Sequence, residues 1–282
     1  MAEIGVFYRK EFDPGAYAIA LYHAQITAAQ SGSHLSLHTF DGGALAEASK
    51  QAPDIDGMLT FGPEPDDVEF LRIYERPSLV CERVVPGCAY VAPDNFDMGR
   101  IAAKHLLNLN HERLAVALPG DPANLDSYHG SRFAGFLETA KDYGHPIENK
   151  DLHFGAKEGA TGVTVAKTLL AQADLPDAIY VQNLPMALAA FHTLVDAGVT
   201  IPDDLSFLGT TFAQLNSPSA TDHTTPPLTS VTFHKEEMGR LGVDYLISVA
   251  ERRTSHLIEI LLPGVLVAGA STASSPLVTS TS

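Results

Sequence analysis

The sequence predicts an α/β protein: two similar three-layer lobes, each a parallel sheet with helices on both faces. Three observations carry that prediction. Short apolar segments alternate with helix-length segments along nearly the whole chain. The strand candidate Leu114–Leu118 is an unbroken apolar run ended by Pro119-Gly120, as in parallel sheets with both faces covered. A chain of 282 residues is also longer than one lobe of this kind requires.

The elements follow in order. Residues 4–8 form a first strand and the Ala-rich stretch 15–30 a helix. Residues 34–40 alternate apolar and polar, which predicts a half-exposed strand, and strands at 55–61 and 77–81 flank a helix at 66–74. The most informative stretch runs from Val91 to Gly120: a strand ends, Asp94-Asn95 turns the chain, a helix carries Ile101, Ala102, His105 and Leu106 on one side, and Leu114–Leu118 forms the next strand. Strand, capped helix and strand together predict one right-handed crossover unit. Helices at 126–143, 160–173 and 185–197 are interleaved with the strands at 178–181 and 205–208. Pro185 suits a first helical turn. Residues 216–229 break the rhythm with Pro218, Pro226 and Pro227 and predict a stiff connector. A helix at 235–252 then places Met238, Leu241, Tyr245, Leu246 and Val249 on one stripe, and two short strands follow at 257–261 and 264–268.

Composition narrows the function. Eighteen Lys and Arg against 34 Asp and Glu give a net charge of −16, the opposite of the basic footprint that phosphate neutralisation demands, so the chain by itself is not expected to hold nucleic acid. Met1-Ala-Glu3 leads straight into a strand with no basic signal-peptide region, and the longest apolar run is broken by Pro263 and Gly264. A cytoplasmic protein with Cys81 and Cys88 as reduced thiols is expected. Gly155, Gly159 and Gly162 cluster before a helix without the Gly-Lys-Ser/Thr of a phosphate loop. No Gly-x-Ser-x-Gly elbow, His-Glu-x-x-His or Cys-x-x-Cys spacing is present. His34 and His38 share a strand face and read as a surface pair. No metal, no cofactor and no catalytic set is expected, which disfavours an enzyme.

The wording of Val91–Leu107 resembles the effector-binding core of the LacI/GalR family of bacterial transcription regulators. Four further stretches resemble the same family, in the same order: Ser127–Phe136 with Arg132, Val181–Ala187 with Asn183, Gly198–Gly209 with Ile-Pro-Asp-Asp, and Pro226–Gly239 with Pro-Pro-Leu-Thr. The resemblance covers nearly the whole chain. It implies a periplasmic-binding-protein-like type I core, its lobes joined by crossover strands: residues 1–119 plus 235–256 as the N-terminal lobe, 120–232 plus 257–270 as the C-terminal lobe, and 271–282 as a disordered Ser/Thr-rich tail. It further implies a small carbohydrate-like effector held between the lobes, a homodimer, and operator DNA contacted only through a helix-turn-helix headpiece absent from this chain. The alternative is the solute-binding protein of a sugar importer, which shares the architecture.

The resemblance also implies site residues. Arg132 matches an arginine that reaches ligand hydroxyls or an anion, with a surface helix-start arginine as the plain alternative. Asn183 matches a ligand-contacting asparagine, or simply turns the chain. Asp97 matches a ligand contact, or is an acid placed by the helix dipole. Phe233 fits an apolar wall or the core, and Tyr8 and Tyr17 border a loop where the family presents aromatic rings. Two positions depart from the pattern: Thr211 stands where sugar-responsive members carry an Asp, and Lys157 lies where an aromatic is frequent. An acid lost and a base gained point to an effector with room for an anionic group.

Overall fold

The computed structural model describes residues 1–10, 14–120, 128–155, 158–211 and 224–275. The chain divides into two units, Met1–Pro93 with His234–Leu262, and Asp94–Phe233 with Pro263–Ser282, so it passes between them three times.

The first unit is built on a six-stranded parallel sheet. Its strands are β1 (Glu3–Arg9), β2 (His34–Phe40), β3 (Gly57–Phe61), β4 (Ser78–Cys81), β5 (Ala89–Pro93) and β11 (Glu259–Leu262), in the spatial order β11-β5-β4-β3-β1-β2. The central strands β3 and β5 are buried at every position, as covered parallel strands are. Helices α1 (Pro14–Gln30) and α8 (Lys235–Ala250) pack on one another, α8 also covering β3, β4 and β5, while α2 (Leu45–Ser49) and α3 (Pro65–Ile73) pack together. Phe7, Phe40, Met58, Val80 and Tyr90 belong to one core cluster here. The Asp67 carboxylate begins α3 by accepting from the amides of Glu64 (2.9 Å), Gly43 (3.0 Å) and Leu45 (2.9 Å).

The second unit repeats the plan with strands β6 (Leu114–Pro119), β7 (Leu152–Gly155), β8 (Ala178–Val181), β9 (Ser206–Thr210), β10 (Thr229–Phe233) and β12 (Gly264–Val267). Their order is β12-β10-β9-β8-β6-β7, and all are parallel except β12, which runs antiparallel to β10. Among the described residues four α-helices belong to this unit: α4 (Asn95–Asn108), α5 (Tyr128–Asp142), α6 (Glu158–Leu170) and α7 (Leu184–Asp196), packed as the pairs α4–α5 and α6–α7. Asp94 caps α4 by accepting from the Asp97 amide at 2.9 Å. The core centres on Ile179, Val181, Phe191, Leu194 and Phe207.

Glycine permits the helix pairs to touch. A Cβ on Gly99 of α4 would lie 1.9 Å from the Arg132 carbonyl oxygen of α5, and one on Gly135 of α5 would lie 2.1 Å from that of Phe96. Backbone lies on backbone there, and a methyl group has no room.

Three sequence expectations need correction. The stretch 91–120 is not a crossover unit within one sheet: β5 pairs in the first sheet, whereas β6 pairs with β7 and β8 in the second, and α4 packs on α5. The division therefore falls at Pro93 and not at residue 119. Residues 259–262 likewise belong to the first unit, because β11 pairs with β5. The tail was expected to be disordered from 271, yet Ser271–Ser275 is tied down. The Ser271 hydroxyl bonds the Phe207 carbonyl and the Thr229 amide, Ala273 accepts from His111, and the Ser275 amide donates to Leu109. Residues 276–282 lie outside the described residues. Cys81 and Cys88 are buried free thiols, and burial raises both above the ordinary thiol range.

Candidate functional site

Open parallel sheets bind ligands beyond the carboxyl ends of their strands, at the point where successive connections leave in opposite directions. In the second unit that point lies between β6, whose chain returns through α5 to β7, and β8, whose chain returns through α7 to β9. Gln182 and Asn183 follow β8 directly, so they stand at this point.

Arg132 reaches the same place from α5. It is 2% exposed, donates from Nη1 to the Gln182 carbonyl at 2.9 Å and from Nη2 to Asn95 Oδ1 at 2.6 Å, and keeps a buried Nε with no protein partner. Its side chain also bonds the Tyr180 hydroxyl, which meets Thr210 Oγ1 at 2.8 Å. Burial raises the Tyr180 phenol, with Arg132 opposing. The guanidinium thus ties together the start of α4, the end of β8 and the first turns of α5, a role that a surface arginine would not have.

Other predicted residues are distributed along this edge in protein-internal roles. Asn183 is 4% exposed and caps α7, its Oδ1 accepting from the Met186 amide at 3.1 Å. Asp97 occupies the first turn of α4, where it pairs with Arg100 and accepts from the Gly264 amide at 3.2 Å. That matches the dipole-favoured acid. Thr211, directly after β9, is fully buried with its hydroxyl 3.1 Å from Ser230 Oγ, and Phe233 closes β10 at 3% exposure. Lys157 lies outside the described residues.

Tyr8 and Tyr17 belong to the first unit. Tyr8 is half-buried beside Thr39 and Phe61 in the sheet register. Tyr17 is buried on α1 with its ring 5.0 Å from Phe61 and its hydroxyl bonded to Glu82. Glu82 follows β4 with a left-handed φ of 70°, a conformation non-glycine residues adopt sparingly. Its carboxylate is 4.0 Å from the ammonium of Lys235, which is 1% exposed. Burial raises Glu82 while Lys235 and Tyr17 oppose the rise. Sequence reading missed Asn95 as a partner of Arg132, and missed Glu82 and Lys235 altogether. A lysine opening a helix otherwise begun by Glu236 and Glu237 was the available signal.

His129, one turn before Arg132, is held neutral. Burial first and the guanidinium second push its pKa down to about 3, and burial also lowers His105, His111 and His153. In the unfolded chain these imidazoles protonate near 6.5, so the unfolded state binds more protons as pH falls below that value. Stability is full above pH 6.5 and declines as pH falls toward the folded-state values. Between pH 6.5 and 5 His129 alone is expected to remove about 2 kcal/mol. Urea unfolding at pH 7 and pH 5 measures it, and His129→Gln should flatten the slope; an unchanged midpoint would contradict the assignment.

The family model of the periplasmic binding protein-like domain matches residues 103–272. The chain belongs to that family. Within this periplasmic binding protein-like family, the chain is similar to two HTH-type transcription regulators. It is 27% identical over 197 residues to the HTH-type transcriptional repressor PurR of Haemophilus influenzae strain PittEE, a match covering 68% of this chain and 56% of PurR. It is 28% identical over 219 residues to the HTH-type transcriptional regulator CelR of Thermobifida fusca, covering 74% of this chain and 61% of CelR. The chain therefore spans little more than half the length of these relatives. Among solved structures, a LacI family transcription regulator from Clostridium acetobutylicum superposes with a TM-score of 0.82 at 20% identity, over 95% of this chain and 99% of that one. A CelR–cellobiose complex gives 0.80 at 23% identity, over 95% and 84%. These superpositions establish the two-sheet α/β fold. Among the described residues no helix is long and apolar enough to cross a membrane.

Proposed function

We propose that this chain is the effector-binding and dimerisation core of a LacI-type transcription regulator, and that it senses a small carbohydrate-like molecule without transforming it. The observation that carries the reading is the buried Arg132, bonded to Asn95 and to the Gln182 carbonyl beside Asn183 at the carboxyl edge of the second sheet, in a chain whose relatives are regulators. Operator contact belongs to a headpiece outside this sequence, in keeping with the net charge of −16. Homodimer formation is supported by β2, an edge strand without Lys or Pro, with Leu37 58% exposed and Tyr22 62% exposed on the neighbouring α1. Arg132 gives an anionic effector no particular support, since two of its three nitrogens are engaged by protein acceptors.

A melting panel of cellobiose, glucose 6-phosphate, adenosine and hypoxanthine tests the reading. A ligand present at a hundred times its Kd stabilises the folded state by about 2.7 kcal/mol, which raises Tm by roughly 5–10 °C for a protein of this size. Stabilisation by at least one carbohydrate or nucleoside compound is expected. A flat panel, or conversion of the stabilising compound to product, would count against the proposal.

A further inference from the structure

The chain crosses between the units after Pro93, after Phe233 and after Leu262, so the second unit has chain ends at Asp94, Phe233 and Pro263. Hydrogen bonds inside that unit gather these ends at the first turn of α4. Asp94 caps the helix, and Asp97 accepts the Gly264 amide on Oδ2 at 3.2 Å. Gly264 opens β12, where it is the register partner of Phe233, the last residue of β10. A Cβ on Gly264 would lie 3.0 Å from Met98 Cγ and 3.1 Å from Met98 Cα. The re-entering chain therefore rests directly on α4, and close packing holds its amide at Asp97.

The same turn carries a partner of Arg132. Asn95 Oδ1 accepts from Nη2 at 2.6 Å, with both residues buried. Asp97 is fixed from its other side, because Arg100 Nε donates to Oδ1 at 2.9 Å while Oδ2 serves Gly264. Its side chain is 18% exposed, and both of its oxygens have protein partners. Two residues later, Gly99 brings α4 against the Arg132 carbonyl, so the turn lies on α5 as well as on β12. Asn95 and Asp97 thus share one packed helical turn, the first bonded to the guanidinium and the second to the third crossing.

We propose that Asp97 is a positioning residue that fastens the third crossing to α4, so that a ligand engaging Arg132 shifts, through Asn95 and this turn, the second-unit ends of all three crossings together. The inference rests on the reading of the chain as an effector-binding core and names the element through which that core responds. Amide hydrogen exchange followed by NMR on the whole ligand-free chain tests it, in the wild type, Asn95→Ala, Asp97→Ala and Asp97→Asn. Asn95→Ala removes an acceptor of Arg132 and leaves the Asp97 carboxylate in place. It should nevertheless speed exchange of the Gly264 amide by about tenfold beyond any change at Ile179 in β8. Asp97→Ala should speed exchange of the buried Arg132 Nε–H by a similar factor. Asp97→Asn keeps an acceptor for Gly264 and should restore most of that protection. Either exchange rate unchanged, Ile179 accelerated equally, or Asp97→Asn behaving as Asp97→Ala overturns the inference, since a turn that is merely structural gives those results. No ligand takes part, so such a failure leaves the effector reading standing, whereas a flat melting panel overturns that reading by itself.

Discussion

Replacing Gly99 by alanine is expected to cost about 3 kcal/mol of stability, and replacing it by valine to prevent the second unit from folding. The added Cβ would sit 1.9 Å from the Arg132 carbonyl oxygen and 2.8 Å from the Phe136 amide nitrogen, both of them backbone atoms that no rotamer change can move. The only relief is to separate α4 from α5, which would uncover Ala102, Ala103 and Phe136, all now fully buried. Gly135→Ala meets the Phe96 carbonyl at 2.1 Å in the same helix pair, so the two substitutions should be less than additive. Urea unfolding measures each. A loss under 1 kcal/mol for Gly99→Ala would show that the helices separate freely, contrary to this packing.

Arg132→Met is expected to remove about 3 kcal/mol and to abolish the ligand-induced rise in Tm. The substitution keeps the apolar stem but removes the buried charged hydrogen bonds to the Gln182 carbonyl and to Asn95 Oδ1, at about 1–3 kcal/mol each. Arg132→Lys should recover little, because one ammonium cannot span two acceptors that the planar fork reaches separately. The loss should appear as a lower denaturation midpoint at unchanged slope. Wild-type stability in Arg132→Met would mean that the guanidinium does not hold this edge together.

The fold was largely legible because parallel strands announce themselves. The sequences Leu114–Leu118 and Ala178–Val181 are apolar throughout and proved buried at every position. β7 was missed because Leu-His-Phe-Gly is brief, carries a histidine and follows Asn-Lys-Asp, so nothing in it resembles a core strand. β10 was missed because Thr229–Phe233 is half hydroxyl residues behind a Pro-rich stretch, yet all five positions are buried. α2 is a single short turn of five residues. The unit boundary was misplaced for a physical reason: β5, α4 and β6 are contiguous and well formed, and only hydrogen bonding shows that the two strands belong to different sheets.

At the site, the resemblance put forward Arg132 and Asn183 as ligand contacts, and in the second unit both lie by the carboxyl end of β8, each bonded to protein atoms. It could not supply the partners. Asn95 receives the guanidinium from 37 positions away, and Asp97 receives the Gly264 amide from 167 positions away. Such contacts come from topology, which local pattern does not encode.

Titration of the wild-type chain with whichever compound raises its melting temperature, followed by recovery and chemical analysis of that compound, probes the central claim most directly. The account predicts saturable binding of one molecule per chain, lost in Arg132→Met, with the compound returned unaltered. Recovery of a chemically changed product, or a stoichiometry and affinity indifferent to Arg132, would contradict it.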